Sequence, residues 1–364
     1  MEDMVTPLMA TDFWRGKRVF LTGHTGFKGG WAALWLAQKG AVVRGYALDP
    51  STQPSLFAEA RVGSVIEDIR GDIRDAAKLD EAMRSFAPDV VLHMAAQPLV
   101  RYSYVDPIGT YETNVIGTAR VLEAVRKTES VRAVVSVTTD KCYENHETLR
   151  GYKESDPLGG YDPYSSSKAC AEIVSAAYRQ SFLADRGVAV ATARAGNVIG
   201  GGDWSADRLI PDLVLGFLAG KAVKIRRPLA IRPWQHVLEP VMGYLQLAEK
   251  LVSGDTKYAS AFNFGPVEED AQPVQWIVER MVALWGNHAR WELDADEGVH
   301  EAGYLKLDAS KARNELAWQP KLSLDDALEW LVEWYKAWQA GADMHALTLH
   351  QISRYESLAI RQTT

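Results

Sequence analysis

Between Lys17 and Gly200, short β-branched runs alternate with stretches of helical spacing. "KRVFLTG" ends in glycine and leads into "GGWAALWLAQKG", apolar at helical intervals with Gly40 as its stop. "AVVRGYAL" and "SVIEDIRGDIRD" read as strands, the second running into a turn, and "AKLDEAMRSFA" as a helix. "PDVVLHMAA" is a strand, "IGTYETNVIGTARVLEAVRK" one long helix, and "RAVVSVTT" a strand. "SSSKACAEIVSAAYRQSF" is a helix, and "VAVATARAGNVIG" closes the series as a strand and glycine-rich loop. Such alternation requires right-handed crossovers and therefore a parallel sheet. The strands are apolar throughout, as they must be when helices cover both faces. The expected fold is α/β, a Rossmann-type doubly wound parallel sheet.

Beyond Asn197 the rhythm breaks, and glycine, tryptophan and proline crowd between short helices. We expect residues 1–196 to form a dinucleotide-binding domain that also carries the catalytic residues. Residues 197–364 should form mainly a smaller, mixed substrate domain, interleaved with the first. The last clear helix, "LDDALEWLVEWYKAWQ", sets Leu324, Leu328, Leu331, Tyr335 and Trp338 on one face, with Ser323 and Asp326 as a capping box. A length of 364 residues and 47% apolar composition suit about two packed regions. A net charge of -7 without a Lys/Arg block argues against nucleic acid or an anionic membrane as partner. The first residues lack the basic-then-apolar pattern of a secretion signal, and no run of about 18 apolar residues occurs. Cys142 and Cys170 make neither a disulfide framework nor a metal motif. A cytoplasmic location and no metal are the expectations.

"TGHTGFKGG" follows the first strand and opens the first helix. Gly23, Gly26 and Gly29 would give a tight turn, close approach of backbone to a diphosphate, and close packing of helix on sheet. The diphosphate would lie at the positive helix end, beside Phe27. Asp49 ends the second strand and can accept hydrogen bonds from an adenosine ribose, favouring NAD over NADP; Arg44 argues the other way, and Asp49 can equally cap a turn. Asp72, with Ile73 after it, suits an adenine amino group or a simple turn. Ala95 and Ala96 are small where a cofactor would pass.

"YDPYSSSKACAE" places Tyr164 and Lys168 four apart, on one helix face. The lysine should lower the phenol pKa, and the tyrosine can then take an alcohol proton while hydride leaves. Thr139, after the fifth strand, can hydrogen-bond the reacting oxygen.

With these residues the chain resembles the extended short-chain dehydrogenase/reductase family over nearly its whole length, a family in which many members act on nucleotide-linked sugars. "TTDKCYEN", "RAGNVIGGGDW" and "IRPWQHVLEP" resemble its cytidine-sugar 4,6-dehydratase branch, although Arg232-Pro233-Trp234 stands where Arg-Asp before an aromatic is usual. The resemblance implies CDP-glucose as substrate, with oxidation at C4, loss of water across C5–C6 and hydride return to C6. Asp140 would be the acid, needing a pKa raised above the usual value of about 3.9. Lys141 would be the C5 base or an enolate stabiliser, with Glu144 as a rival base. Asn197 and Arg232 resemble the family's diphosphate contacts, and Arg208 is a further cation. His300 and Tyr304 stand where related enzymes close over the nucleotide, but either can be packing or a surface pair. Tyr102 or Tyr104 can touch the sugar or sit in a capping loop, and Trp234 can pack the domain seam. Helices apolar on more than one face imply a homodimer or homotetramer. A nucleotide-sugar 4-epimerase, or a dehydratase of another nucleotide hexose, is the rival reading; a non-catalytic NAD sensor is the third.

Overall fold

Buried apolar strands need helices on both sides, and the chain supplies them. In a computed structural model, residues 13–286, 288–294 and 303–361 are described. The strands β1 (Arg18–Thr22), β2 (Val42–Ala47), β3 (Glu67–Arg70), β4 (Val90–His93), β5 (Ala133–Val137) and β6 (Ala189–Ala195) stand in the spatial order 3-2-1-4-5-6. Every neighbouring pair is parallel, with Val19 beside Val43 on one side and Val90 on the other. Two short pairs follow from the second half of the chain. These are β7 (Val198–Ile199) with β9 (Gln235–His236), and β8 (Val223–Ile225) with β11 (Trp291–Leu293). The remaining strand, β10 (Ala261–Phe264), pairs in parallel with β6 and becomes the seventh strand of the main sheet. The doubly wound parallel sheet expected from the alternation is thus the fold, and the second half of the chain contributes an edge to it.

Helices fill the crossovers: α1 (Phe27–Gln38), the single turn α2 (Leu56–Glu59), α3 (Ala76–Phe86), α4 (Val100–Val105), α5 (Pro107–Tyr111), α6 (Gly117–Arg126) and α7 (Pro163–Tyr178). The one long helix expected from 108 onward is interrupted: a π-helical turn, Glu112–Ile116, separates α5 from α6. The wide turn aims Asn114 inward, where its amide donates to the Gln97 carbonyl and Ser167 hydroxyl and its oxygen accepts from Gln97 N–H. The segment 101–107 is also more regular than a loop, since Tyr102 and Tyr104 lie on α4 and Asp106 caps α5.

After the sheet come α8 (Leu209–Leu218), α9 (Leu238–Val252), α10 (Val274–Trp285), α11 (Ser310–Leu316), α12 (Leu324–Gln339) and α13 (Met344–Ser357). The capping box of Ser323 and Asp326 starts α12, and Leu324, Leu328, Leu331 and Tyr335 are buried along it. One further helix, α13, had no expectation in the sequence: its mean hydropathy pattern is weak, and it is held by side chains distant in sequence. Trp35 on α1 donates to Glu356 and meets the Tyr355 ring edge-on. Among the described residues no helix is long and apolar enough to cross a membrane.

Candidate active site

The loop after β1 turns sharply because Gly23 has φ +82°, in the region where only glycine is unstrained. Gly29 is required for a different reason: a Cβ there would lie 2.1 Å from the Gly23 carbonyl oxygen. Helix α1 begins at Gly26 without a side-chain cap and without an acidic residue in its first turn. Free N–H groups at an uncapped helix start suit a diphosphate, so this cradle fits a dinucleotide. Thr25 ties the loop to the end of β2 by donating to Leu48 O at 2.9 Å. Asp49 follows there, 89% exposed and 3.6 Å from Arg70. Arg44 points elsewhere: it pairs with Glu67 and lies over the Phe86 ring. Asp72 accepts from Arg74, which holds its carboxyl below the usual range. Ile73 is buried against α6 at Gly117, and Ala95 N–H donates to Thr22 Oγ1 at 3.1 Å.

The carboxyl ends of β1, β4, β5 and β6 open onto a cleft of about 340 Å³, the expected ligand position for such a sheet. Phe27, Ala96, Thr139, Asp140, Lys141, Tyr164, Lys168, Asn197, Arg208 and Arg232 all line it. The cleft therefore gathers residues from both halves of the chain. Asp162 caps α7, so Tyr164 and Lys168 sit in its first two turns, close to the end of β5.

Lys168 Nζ donates to the Val137 carbonyl at 3.1 Å. Burial pulls its pKa down to about 8, against the raising influence of Glu172 and Cys142. The Tyr164 phenol departs from expectation. Burial pushes it up to about 12; a hydrogen bond with Thr139 and the charge of Arg208 pull it down, and Asp140 and Asp162 push it further up. Desolvation of the phenolate outweighs the attraction of nearby cations among the protein's own groups.

Asp140 is 2% exposed, and burial raises its pKa against the pull of Lys141, Thr139 and Arg232. Its Oδ1 accepts from the Thr139 hydroxyl at 2.9 Å. Its Oδ2 is buried with no hydrogen-bond partner in the protein. A buried acid with one unsatisfied oxygen is suited to give a proton to a bound group. Tyr143 and Glu144 do not line the cleft. The Tyr143 hydroxyl is buried against Asn263 and Arg194, and Glu144 is more than half exposed beside His146.

The cleft also carries cations from the second half of the chain. Arg208 pairs with the buried Asp203 at 3.1 Å, and Arg101 reaches Asp207 at 3.3 Å. Arg232 is buried next to Asp140 and donates to Ile231 O at 2.9 Å. Trp234 lines the same wall. Tyr304 is set apart from the cleft wall; its hydroxyl donates to Leu149 O at 3.2 Å. His300 lies outside the described residues.

Lys28 had no role in the sequence reading, where only the glycines of its loop stood out. It lines the cleft, and burial with the charges of Lys168 and Arg208 pulls its pKa down to about 7. Asp203 and Asp207 were likewise unforeseen: "GGDW" contributes to the resemblance, but no spacing in "GGDWSAD" assigns its two acids a role.

Residues 20–330 match the family model described as GDP-mannose 4,6 dehydratase. A CDP-glucose 4,6-dehydratase of Salmonella typhimurium (strain LT2) is 52% identical over 355 residues, covering 96% of this chain and 99% of that protein. Among solved structures, a dTDP-glucose 4,6-dehydratase from Bacillus anthracis in complex with NAD superposes with a TM-score of 0.75 at 23% identity, covering 90% of this chain and 99% of that one. A UDP-glucose 4-epimerase from Thermotoga maritima with UDP-glucose gives 0.76 at 20% identity, over 88% and 99%. At those identities the two structures share the fold.

Proposed function

The chain belongs to the GDP-mannose 4,6 dehydratase family, and from that membership we propose that it converts CDP-glucose to CDP-4-dehydro-6-deoxyglucose with the help of NAD. The observation that carries the reading is Asp140, a buried acid with an unpaired oxygen, in one cleft with Lys141, Tyr164 and Lys168. A chain that only inverted C4 would have no use for that acid.

Tyr164 takes the proton of the C4 hydroxyl, and the Lys168 ammonium offsets the charge that develops on the phenol. NAD, held by the glycine loop, would supply the oxidant at C4 and the reductant at C6, and its positive charge would favour the phenolate. The C4 ketone acidifies the C5 hydrogen, which Lys141 removes. Asp140 gives its proton to the C6 hydroxyl, and water leaves. With hydride returned to C6 and a proton to C5, no net oxidation remains. Thr139 orients the reacting oxygen and Asp140 together. The placement of Glu144 outside the cleft supports Lys141 as the base.

The glycine loop, with Phe27, Ala95 and Ala96, would hold NAD, and Asp49, Asp72 and Ile73 its adenosine side. Asn197, Arg208 and Arg232 would hold the nucleotide diphosphate of the substrate. The chain works in the cytoplasm as a homodimer or homotetramer. Val105, Ile108, Ile116, Ile173 and Phe182 are all exposed, between α4 and the turn that follows α7, apolar surface that a second copy would cover.

Incubation with CDP-, dTDP-, UDP- and GDP-hexoses tests the reading by product mass. CDP-glucose should lose one water, and deuterium placed on C4 should reappear on C6 of the same molecule. A product of unchanged mass inverted at C4 would make the protein an epimerase.

A further inference from the structure

Behind the cleft, Glu172 on α7 and Arg194 on β6 form an ion pair at 2.8 Å with both side chains about 96% buried. Such a pair is weak evidence for stability, because desolvating two charges offsets their attraction. Its partners are more telling. One Glu172 oxygen accepts from the Thr138 hydroxyl, immediately before the reacting stretch. The other accepts from Thr192 at 2.6 Å and from Arg194 Nη2. Arg194 Nη1 donates to the Tyr143 hydroxyl at 2.9 Å, immediately after that stretch, and its guanidinium lies over the Tyr143 ring. Tyr143 in turn donates to Asn263 on β10.

We infer that the Glu172–Arg194 pair is a positioning element that grips both ends of the segment Thr139–Cys142 and sets where Asp140 and Lys141 stand relative to Tyr164 and Lys168. This inference rests on the proposed dehydration. The helix makes the arrangement coherent: Tyr164, Lys168 and Glu172 recur every four residues, so one face of α7 carries the proton acceptor, the ammonium and the anchor in succession. The front arm, Glu172 to Thr138, also places a negative charge near Lys168. The other groups facing that ammonium are Cys142 from the loop, Lys28 from α1 and His93 from β4. Of these Glu172 is the largest counterweight to burial. The rear arm, Arg194 to Tyr143, touches neither Tyr164 nor Lys168. The two arms should therefore affect different steps.

Two variants separate them. In Glu172→Gln, the Lys168 ammonium should titrate about one pH unit lower than in the parent. Lysine side-chain NMR reads this without turnover, with the Lys168 signal assigned by its loss in Lys168→Met. In Tyr143→Phe, the ring stays but the bonds from Arg194 and to Asn263 are lost. NADH formation from CDP-glucose should be retained, and solvent exchange at C5 should slow about tenfold. An unchanged Lys168 titration in folded Glu172→Gln overturns the front arm. Equal losses of NADH formation and C5 exchange in Tyr143→Phe overturn the rear arm and make the pair merely structural. If Glu172→Gln fails to fold, Tyr143→Phe decides. If the parent shows no turnover of CDP-glucose, the proposed function has failed, and the Lys168 titration still judges the role of Glu172.

Discussion

The Lys168 ammonium donates to the Val137 backbone carbonyl, 3.1 Å away, at the last residue of β5. This bond fastens α7 to the sheet at the point where Thr138, Thr139 and Asp140 leave it. Tyr164, Lys168 and Asp140 are thereby set by one strand end.

Loss of the Tyr164 phenol would remove the proposed acceptor of the C4 proton. Tyr164→Phe should lower the rate of NADH formation about 10²- to 10⁴-fold with the fold intact by circular dichroism. A single-turnover absorbance trace checks it; a trace like the parent's would remove Tyr164 from the reaction.

In the proposed reaction, Asp140 acts after hydride has left C4. Asp140→Asn cannot protonate the C6 hydroxyl, so the bound cofactor should become reduced and stay reduced. Stopped-flow absorbance should show NADH accumulating without formation of the dehydrated product. Failure to form NADH would move Asp140 to the first step.

Lys141→Ala should slow deuterium uptake at C5 at least tenfold (an order-of-magnitude expectation for losing a general base), while C4 oxidation continues. Mass analysis of recovered sugar in heavy water reads this. Undiminished uptake would hand the base role to water or to another group.

The pH profile should fall on the alkaline side. Lys168 is protonated below about pH 8 and neutral above it, so its offset of phenolate charge is present at lower pH and lost as pH rises through that value. The rate of NADH formation measured from pH 6 to pH 10 (roughly two units either side) should show this limb. A rate that is flat through pH 8 would contradict it.

Glu239 provides a stability test remote from the cleft. It is buried, accepts from Lys321 N, Leu322 N and the Tyr355 hydroxyl, and joins α9 to α13. Burial raises its pKa from 4.5 to about 7. The folded state therefore keeps a proton that the unfolded chain releases. This stabilisation is full below pH 4.5 and is lost as pH rises through about 7, a change of about 3 kcal/mol at most. Glu239→Gln should show a smaller drop in Tm between pH 5 and pH 8 than the parent, by calorimetry (a span of roughly three units around the shift). An identical drop in both would show that Glu239 does not titrate in this way.

Much of the site was legible before folding was considered. Gly23 and Gly29 announce a tight turn and a close approach through their own missing Cβ atoms, and Tyr164 and Lys168 share a face because of helical spacing. Asp140 and Lys141 are neighbours by covalent bond. The π turn at Glu112–Ile116 was not legible, because it serves Asn114 bonds to Gln97 and Ser167, far off in sequence. Lys28 was missed because a lysine in a glycine loop looks like a solvated charge until the packing around it is known.

Short-range pattern was enough for the order of strands and helices, the glycine turn and the candidate side chains of the cleft, since each depends on residues within a few positions of one another. Folding alone brought Arg208 and Arg232 to the cleft, joined β10 to the sheet, and placed Glu172 against Arg194. It also settled the direction in which Tyr164 is shifted. Desolvation sums over every neighbour that excludes water, and those neighbours come from separate strands and helices that only the packed molecule brings together.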